Sequence, residues 1–145
     1  MPHIARLHAA SGTLALTLIA TFWLSTVVAE IIGNTAMVAT VKAGILFGFV
    51  LLVPALATAG ATGTLLARGW KGPRVGAKRR RMAIAATNGL LVLIPSAMFL
   101  SSRATAGNLD AAFYVVQGLE LVCGAINIIL LGRNLRDGLS MRRRA

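Results

Sequence analysis

The sequence predicts an all-α fold, an integral membrane four-helix bundle with its N and C termini cytoplasmic. Apolar residues make up 57% of the 145 residues, and the mean hydropathy is +0.76. Charged residues account for 13%, whereas a typical soluble domain has about 25%. The charges also divide the chain into long uncharged runs, with Lys and Arg gathered beside them. These observations exclude a disordered chain, a coiled coil and an ordinary soluble enzyme.

Four uncharged runs are long enough to cross the hydrocarbon, which takes about 20 apolar residues. They cover residues 7–29, 43–67, 82–102 and 111–132, the last interrupted by Glu120. We therefore expect a single transmembrane domain over 1–145. Its helices should cover about 5–32, 37–68, 82–103 and 109–135, with a basic loop at 69–81. The first run is longer than a signal-peptide core of about 7–15 residues, so we expect it to be retained as a helix.

The distribution of basic residues predicts the orientation. Of the 15 Lys and Arg, all but Lys42 and Arg103 lie near the N-terminus, in or next to the basic loop, or near the C-terminus. Because Lys and Arg are enriched in cytoplasmic segments, these parts should face the cytoplasm of a bacterial inner membrane. Aromatic residues do not alternate with the charges as in a nucleic-acid groove, so we interpret the charges as topology signals and contacts to anionic lipids. Trp70 suits an interfacial anchor, whereas Trp23 falls inside the first run.

The fourth run carries a stripe of polar and small residues at helical spacing. Its members are Tyr114, Gln117, Glu120, Gly124 and Asn127, and they share one face. A polar face avoids lipid, so it should lie inside the bundle or against another protomer. Glu120 lies near mid-depth, and we expect it to lack a basic partner there and to be protonated at neutral pH, hydrogen-bonded to a neighbouring helix. The alternative is a proton-relay or quinone-contact group.

The positions of polar residues along the spans predict two further pairs. Asn88 and Asn127 lie at nearly the same distance from the cytoplasmic boundary, so a hydrogen bond between them is expected. Glu30 and Lys42 bracket the first outer loop and are candidates to pair across it, in a contact that would add little stability.

Small residues and prolines indicate how the helices pack. Gly44 and Gly48 form a G-x-x-x-G pair, which favours close helix contact and is compatible with homodimerisation. Pro54 and Pro95 lie near the centres of the second and third runs and should kink them. We interpret both as packing kinks, with a gating hinge as the alternative. Cys123 lies in an apolar run and should be inert packing.

The chemical inventory does not favour an autonomous enzyme. The chain has two histidines, His3 and His8, and none of the common hydrolase, zinc, redox or phosphate-loop motifs. It also shows no internal repeat of the kind that secondary transporters carry. A small proton-coupled or drug-coupled exporter built as a dimer around Glu120 stays open.

The residue types for one b-type haem are present near the cytoplasmic boundary. His8 lies just inside the first run, with Gly12 one turn further on, and Met82 begins the third run at the same depth. Arg6 and Arg79 lie at the nearby edge, where cations would meet haem propionates. We expect His8 as axial metal ligand, opposite either Met82 or His8 of a second copy. The alternative is that His8 is an amphipathic residue at the end of its helix.

Several strings are distinctive, namely Leu7-His8, residues 22–26, Glu30, Lys42, 78–82, 88–95, Gln117-x-x-Glu120 and Asn134-x-Arg136-Asp137-Gly138. Together they resemble a family of small four-span bacterial inner-membrane proteins, over nearly the whole chain, and that resemblance implies a topology but no activity. The chain also resembles four-helix b-type cytochromes in its topology and in His8. That resemblance implies haem b.

Taken together, these features predict a haem b-binding electron-transfer protein, linked to quinone and homodimeric, with Glu120 as a candidate proton acceptor. The alternative is a non-catalytic accessory or assembly subunit of a larger membrane complex. Such a subunit would dock through the Gln117–Asn127 face or through a glycine face.

Overall fold

The computed structural model describes residues 2–68 and 72–142, with side chains described up to residue 140. Within these ranges the chain is helical, and no strand occurs. The four helices cover Pro2–Ile32, Thr35–Leu66, Pro73–Thr105 and Ala111–Arg142. Each is long and apolar enough to cross a membrane. The all-α, four-span prediction is therefore confirmed, while the expected anchor Trp70 lies outside the described residues.

Short turns at residues 33–34 and 106–110 join the first helix to the second and the third to the fourth, so the helices of each pair run antiparallel. The first helix ends at Ile32, and Gly33 follows it with a φ of 68°, the left-handed conformation that favours glycine after a helix. Asn34 then caps the second helix, because its side-chain oxygen accepts hydrogen bonds from the backbone N–H groups of Ala36 and Met37. Gly107, with φ 73°, occupies the corresponding turn after the third helix. We call the side with these two turns the opposite end, and the side with the chain termini the basic end.

The four helices form a bundle in which each helix packs against the helices before and after it, and the first packs against the fourth. The first and third helices are therefore diagonal to each other, as are the second and fourth. The first helix packs against the second and the fourth. The second half of the third helix, Ile94–Thr105, also packs against the second and fourth, whereas its first half, Pro73–Asn88, lies mainly along the fourth. Near the opposite end the core is made by Ala29, Val38, Leu100, Ala104 and Phe113. Further toward the basic end, Ala15, Ile19, Leu52 and Ala55 fill the space between the first two helices.

The third and fourth helices extend further at the basic end than expected. The third begins at Pro73, so the expected loop at 69–81 is helical from residue 73 onward. Proline suits the first turn of a helix, and Lys and Arg are good helix formers, which explains the extension. The fourth helix runs to Arg142 rather than about 135. Arg81 and Asp137 form an ion pair at 2.5 Å that ties the two extensions together.

The two central prolines are accommodated differently. Pro54 lies within the uninterrupted second helix. Pro95 instead follows a π-helical segment, Gly89–Leu93, in the third helix. A proline lacks its N–H and its ring crowds the carbonyl four residues before it, so a wider turn relieves the clash. At this segment the third helix changes from packing mainly along the fourth helix to packing against both the second and the fourth.

Candidate functional site

A buried ion pair joins the second and fourth helices within the membrane-spanning region. The Lys42 side chain is 1% exposed, and its Nζ lies 2.5 Å from Glu120 Oε2. The ammonium also donates to Thr26 Oγ1 of the first helix at 3.5 Å. At 1.5 Å per residue, Lys42 and Glu120 lie about 10 Å and 14 Å from the ends of their helices. Charges at such depth are costly and mark functional sites by default.

The ion pair corrects two expectations. Glu120 was expected to lack a basic partner at its depth, and this is wrong because Lys42 reaches it. The expectation of a protonated Glu120 rested on that missing partner and loses its basis. The pairing of Glu30 with Lys42 across the outer loop is also wrong, since the ammonium turns inward to Glu120. The second helix begins at Thr35, so Lys42 lies two turns inside it rather than at its boundary.

Further polar groups surround the pair. Gln117 is 3% exposed and donates from Nε2 to Glu120 Oε2 at 3.3 Å. Glu30 of the first helix lies close enough to Lys42 and Glu120 to interact with both electrostatically. Glu30 Oε1 and Gln117 Oε1 are buried and have no hydrogen-bond partner among the described residues. We call Thr26, Glu30, Lys42, Gln117 and Glu120 the charge cluster.

The expected Asn88–Asn127 hydrogen bond is confirmed. Asn88 Nδ2 donates to Asn127 Oδ1 at 2.8 Å and to the Cys123 carbonyl at 2.9 Å. Asn127 Nδ2 in turn donates to the Ala85 carbonyl at 3.2 Å. The two amides thus satisfy each other and two backbone carbonyls, and they tie the third helix to the fourth beside the π-helical segment.

The stripe on the fourth helix faces the bundle interior of its own chain. Gln117, Gly124 and Asn127 are buried, which agrees with the first of the two expected environments. Tyr114 departs from the stripe, because it is exposed and stacks edge-on against Phe113 at 5.3 Å. The stripe instead continues to Asn134, which is buried and donates to the Lys78 carbonyl at 3.2 Å. Asn134 lies seven residues, or about two helical turns, after Asn127. This spacing alone would have placed it on the same face of the helix.

His8 is held against the second helix at the basic end. Its Nδ1 lies 3.0 Å from the Ala59 carbonyl and 3.2 Å from Thr62 Oγ1. The Thr62 hydroxyl donates its own proton to the Thr58 carbonyl at 2.5 Å, so both partners of Nδ1 are acceptors. Nδ1 must therefore carry the proton, and Nε2 of the neutral ring keeps its lone pair. The ring packs over Gly63, where a Cβ would lie 3.0 Å from its Cε1.

Met82 reaches the same part of the second helix from the third. Its Cε lies 4.0 Å from the position that a Cβ would take at Gly60. Gly60 is three residues from Gly63, and residues at this spacing are surface neighbours about 5–6 Å apart. The structure thus brings His8 and Met82 to adjacent glycines of one helix.

The remaining candidate residues at the basic end are more open. Gly12 has nothing within 4 Å of its Cβ position, so it forms no close contact with another helix. Arg6 and Arg79 are exposed. Lys78 acts electrostatically on His8, and its Nζ packs over Gly138 of the fourth helix. Lys78 is therefore the cation that interacts with His8 at this end.

Two packing contacts were not anticipated from the sequence. Trp23 Nε1 donates to the Leu121 carbonyl at 2.8 Å and ties the first helix to the fourth. The indole ring lies against Gly124, whose absent side chain makes room for it. Phe22 similarly fills the space over Gly48 within the same chain. Gly44, the other member of the G-x-x-x-G pair, is open.

No group of three His, Cys, Asp or Glu residues able to hold a metal ion occurs in the described ranges. The chain matches no protein-family model, no curated protein and no solved structure in the comparisons made.

Proposed function

We propose that this small integral membrane protein binds haem b at its basic end and transfers electrons, with His8 as an axial ligand. The orientation of the His8 ring carries the proposal. A metal-ligating histidine usually donates its second ring N–H to a carbonyl or carboxylate, which fixes the tautomer and the ring plane. His8 Nδ1 makes this contact with the Ala59 carbonyl and with Thr62. Its Nε2 lone pair is then available to a metal.

Either Met82 or His8 of a second copy would hold the haem together with His8. Met82 is favoured within one chain because its side chain and the His8 ring meet adjacent glycines, Gly60 and Gly63. The absence of side chains at these glycines lets the His8 ring and the Met82 side chain lie close to the second helix. When bound, haem supplies one-electron redox chemistry whose potential depends on its axial ligands. Arg6 and Arg79 are exposed at the same end and suit propionate carboxylates.

The chain's own residues would hold His8 in one protonation state. Thr58, Ala59 and Thr62 fix the proton on Nδ1. Loss of the Thr62 hydroxyl would leave Ala59 as the single acceptor, which weakens the orientation without removing the ligand. Thr62→Val should therefore retain haem with a shifted reduction potential.

The test compares the haem content of His8→Ala with that of His3→Ala, both purified from haem-replete cells. His3 is an exposed histidine on the same helix, so it is a matched control for loss of one imidazole. The proposal predicts that His8→Ala loses the haem spectrum and that His3→Ala keeps it. Equal haem content in the two variants would exclude His8 as the ligand.

The alternative function is an accessory or assembly subunit of a larger membrane complex. Its expected docking face, from Gln117 to Asn127, is buried inside the chain's own bundle. A partner would therefore have to use another surface, and Gly44 offers an open small-residue position. Blue-native migration with an unlike partner, lost in Gly44→Leu and retained in the matched variant Gly118→Leu, would support this alternative. Gly118 is also open.

A further inference from the structure

The charge cluster contains one more acidic group than basic groups. Glu30 and Glu120 face a single ammonium, that of Lys42, which is 1% exposed. With all three ionised, the cluster would carry a net negative charge in a region of low dielectric constant. An uncompensated charge in such a region is strongly unfavourable. We therefore expect the cluster to bind one proton or other cation that cancels this negative charge.

Hydrogen bonding indicates where that species belongs. Glu120 Oε2 accepts hydrogen bonds from Lys42 and Gln117. Glu30 Oε1 is buried and accepts no hydrogen bond from the described part of the chain, and the same holds for Gln117 Oε1. An unpaired buried acceptor is costly. A proton on Glu30 removes its charge and also gives its carboxyl a donor.

A proton fits this cluster better than a metal cation does. The Lys42 ammonium already contacts Glu120, so a metal ion beside it would meet a like charge at close range. The third helix contributes Arg103 near this end, but its guanidinium is paired with Asp110 at 2.8 Å. No other charged side chain of the described ranges is available to compensate Glu30.

We propose that Glu30, Lys42 and Glu120 form an intramembrane proton-binding site, in which Lys42 and Glu120 remain an ion pair and Glu30 takes up and releases one proton. Glu30 lies two residues before Ile32, the last residue of its helix, and is partly exposed. The proton therefore exchanges with water at the opposite end. Uptake converts the Glu30 carboxylate into a carboxyl and brings the cluster to zero net charge. The site does not depend on haem.

The chain is well suited to a direct test because Glu30 and Glu120 are its only glutamates. Protein labelled with carbon-13 at the glutamate carboxyl carbon is reconstituted in vesicles of phosphatidylcholine and phosphatidylglycerol. Carbon-13 NMR then distinguishes a carboxylic acid from a carboxylate at each pH. At pH 7 we expect one acid signal and one carboxylate signal of equal intensity.

Variants assign the two signals. Glu30→Gln should remove the acid signal and leave the carboxylate, and because Glu30 Oε1 has no partner the fold should tolerate the change. Asp137→Asn, which alters the carboxyl that pairs with Arg81 at the basic end, away from the charge cluster, should leave both signals unchanged. Two carboxylates at pH 7, or an acid signal that survives Glu30→Gln, would overturn the proposal. Lys42→Met provides a second check, because Glu120 without its ammonium should also give an acid signal.

Discussion

The Lys42 ammonium and the Glu120 carboxylate meet at 2.5 Å, although 78 residues separate them along the chain. They belong to the second and fourth helices, which are diagonal neighbours and pack mainly against the first and third. The ion pair therefore bridges the bundle across its interior. Its two partners depend on each other, because neither has another opposite charge at hydrogen-bond distance in the described structure.

Removing one partner of this pair should destabilise the fold more than removing both. Lys42→Met or Glu120→Leu alone takes away the ion-pair partner of a buried group, which typically costs about 3–5 kcal/mol. The double variant replaces the pair with apolar side chains and should recover most of that loss. Unfolding of the detergent-solubilised variants by sodium dodecyl sulfate measures the difference. Single and double losses that simply add would show that the two charges are not coupled.

The Asn88–Asn127 contact should show a smaller but measurable coupling. Each amide also bonds a backbone carbonyl, so either substitution to Leu breaks two hydrogen bonds. Hydrogen bonds between membrane helices average about 0.6 kcal/mol and reach about 1.7 kcal/mol in double-mutant cycles. We expect a coupling free energy within this range for Asn88→Leu with Asn127→Leu, measured by the same unfolding assay. A coupling near zero would mean that the side chains do not meet.

Gly48 and Gly44 should respond differently to alanine, although they form one sequence motif. A Cβ at Gly48 would lie 2.2 Å from Phe22 Cζ, whereas the Gly44 position has nothing within 4 Å. Gly48→Ala must displace the Phe22 ring and should lower stability by about 1 kcal/mol. Gly44→Ala should be neutral or slightly stabilising, because alanine favours the helix. Equal effects of the two changes would contradict the first-to-second helix packing.

The number of helices and their fold class follow from the sequence because spans are recognised by length and hydropathy alone. The sequence also predicts part of the helix packing. The spacing of Gln117 and Asn127 predicts the buried face of the fourth helix, and the similar depth of Asn88 and Asn127 predicts their contact. The depth of Lys42 in the membrane cannot be predicted from the sequence, because the spans are delimited by charged residues. A lysine inside a span is therefore assigned to the end of that span. A lysine that lies inside a helix cannot be distinguished from one that ends it until its partner is known.

The basic end should face the cytoplasm, with the two glycine turns on the outside. This expectation follows from the distribution of Lys and Arg. In a Cys123→Ser background, Arg74→Cys and Asn108→Cys place exposed thiols at the two ends. A membrane-impermeant maleimide added to intact cells should label Asn108→Cys, and it should label Arg74→Cys only after lysis. Labelling in the reverse pattern would invert the topology.

The reduced-minus-oxidised visible spectrum of the purified wild-type protein, with haem quantified per chain, tests the proposed function most directly. We expect a Soret band with resolved α and β bands. One haem per chain would indicate His8 with Met82, and one haem per two chains would indicate His8 from each of two copies. A featureless spectrum from haem-replete cells would contradict the haem assignment.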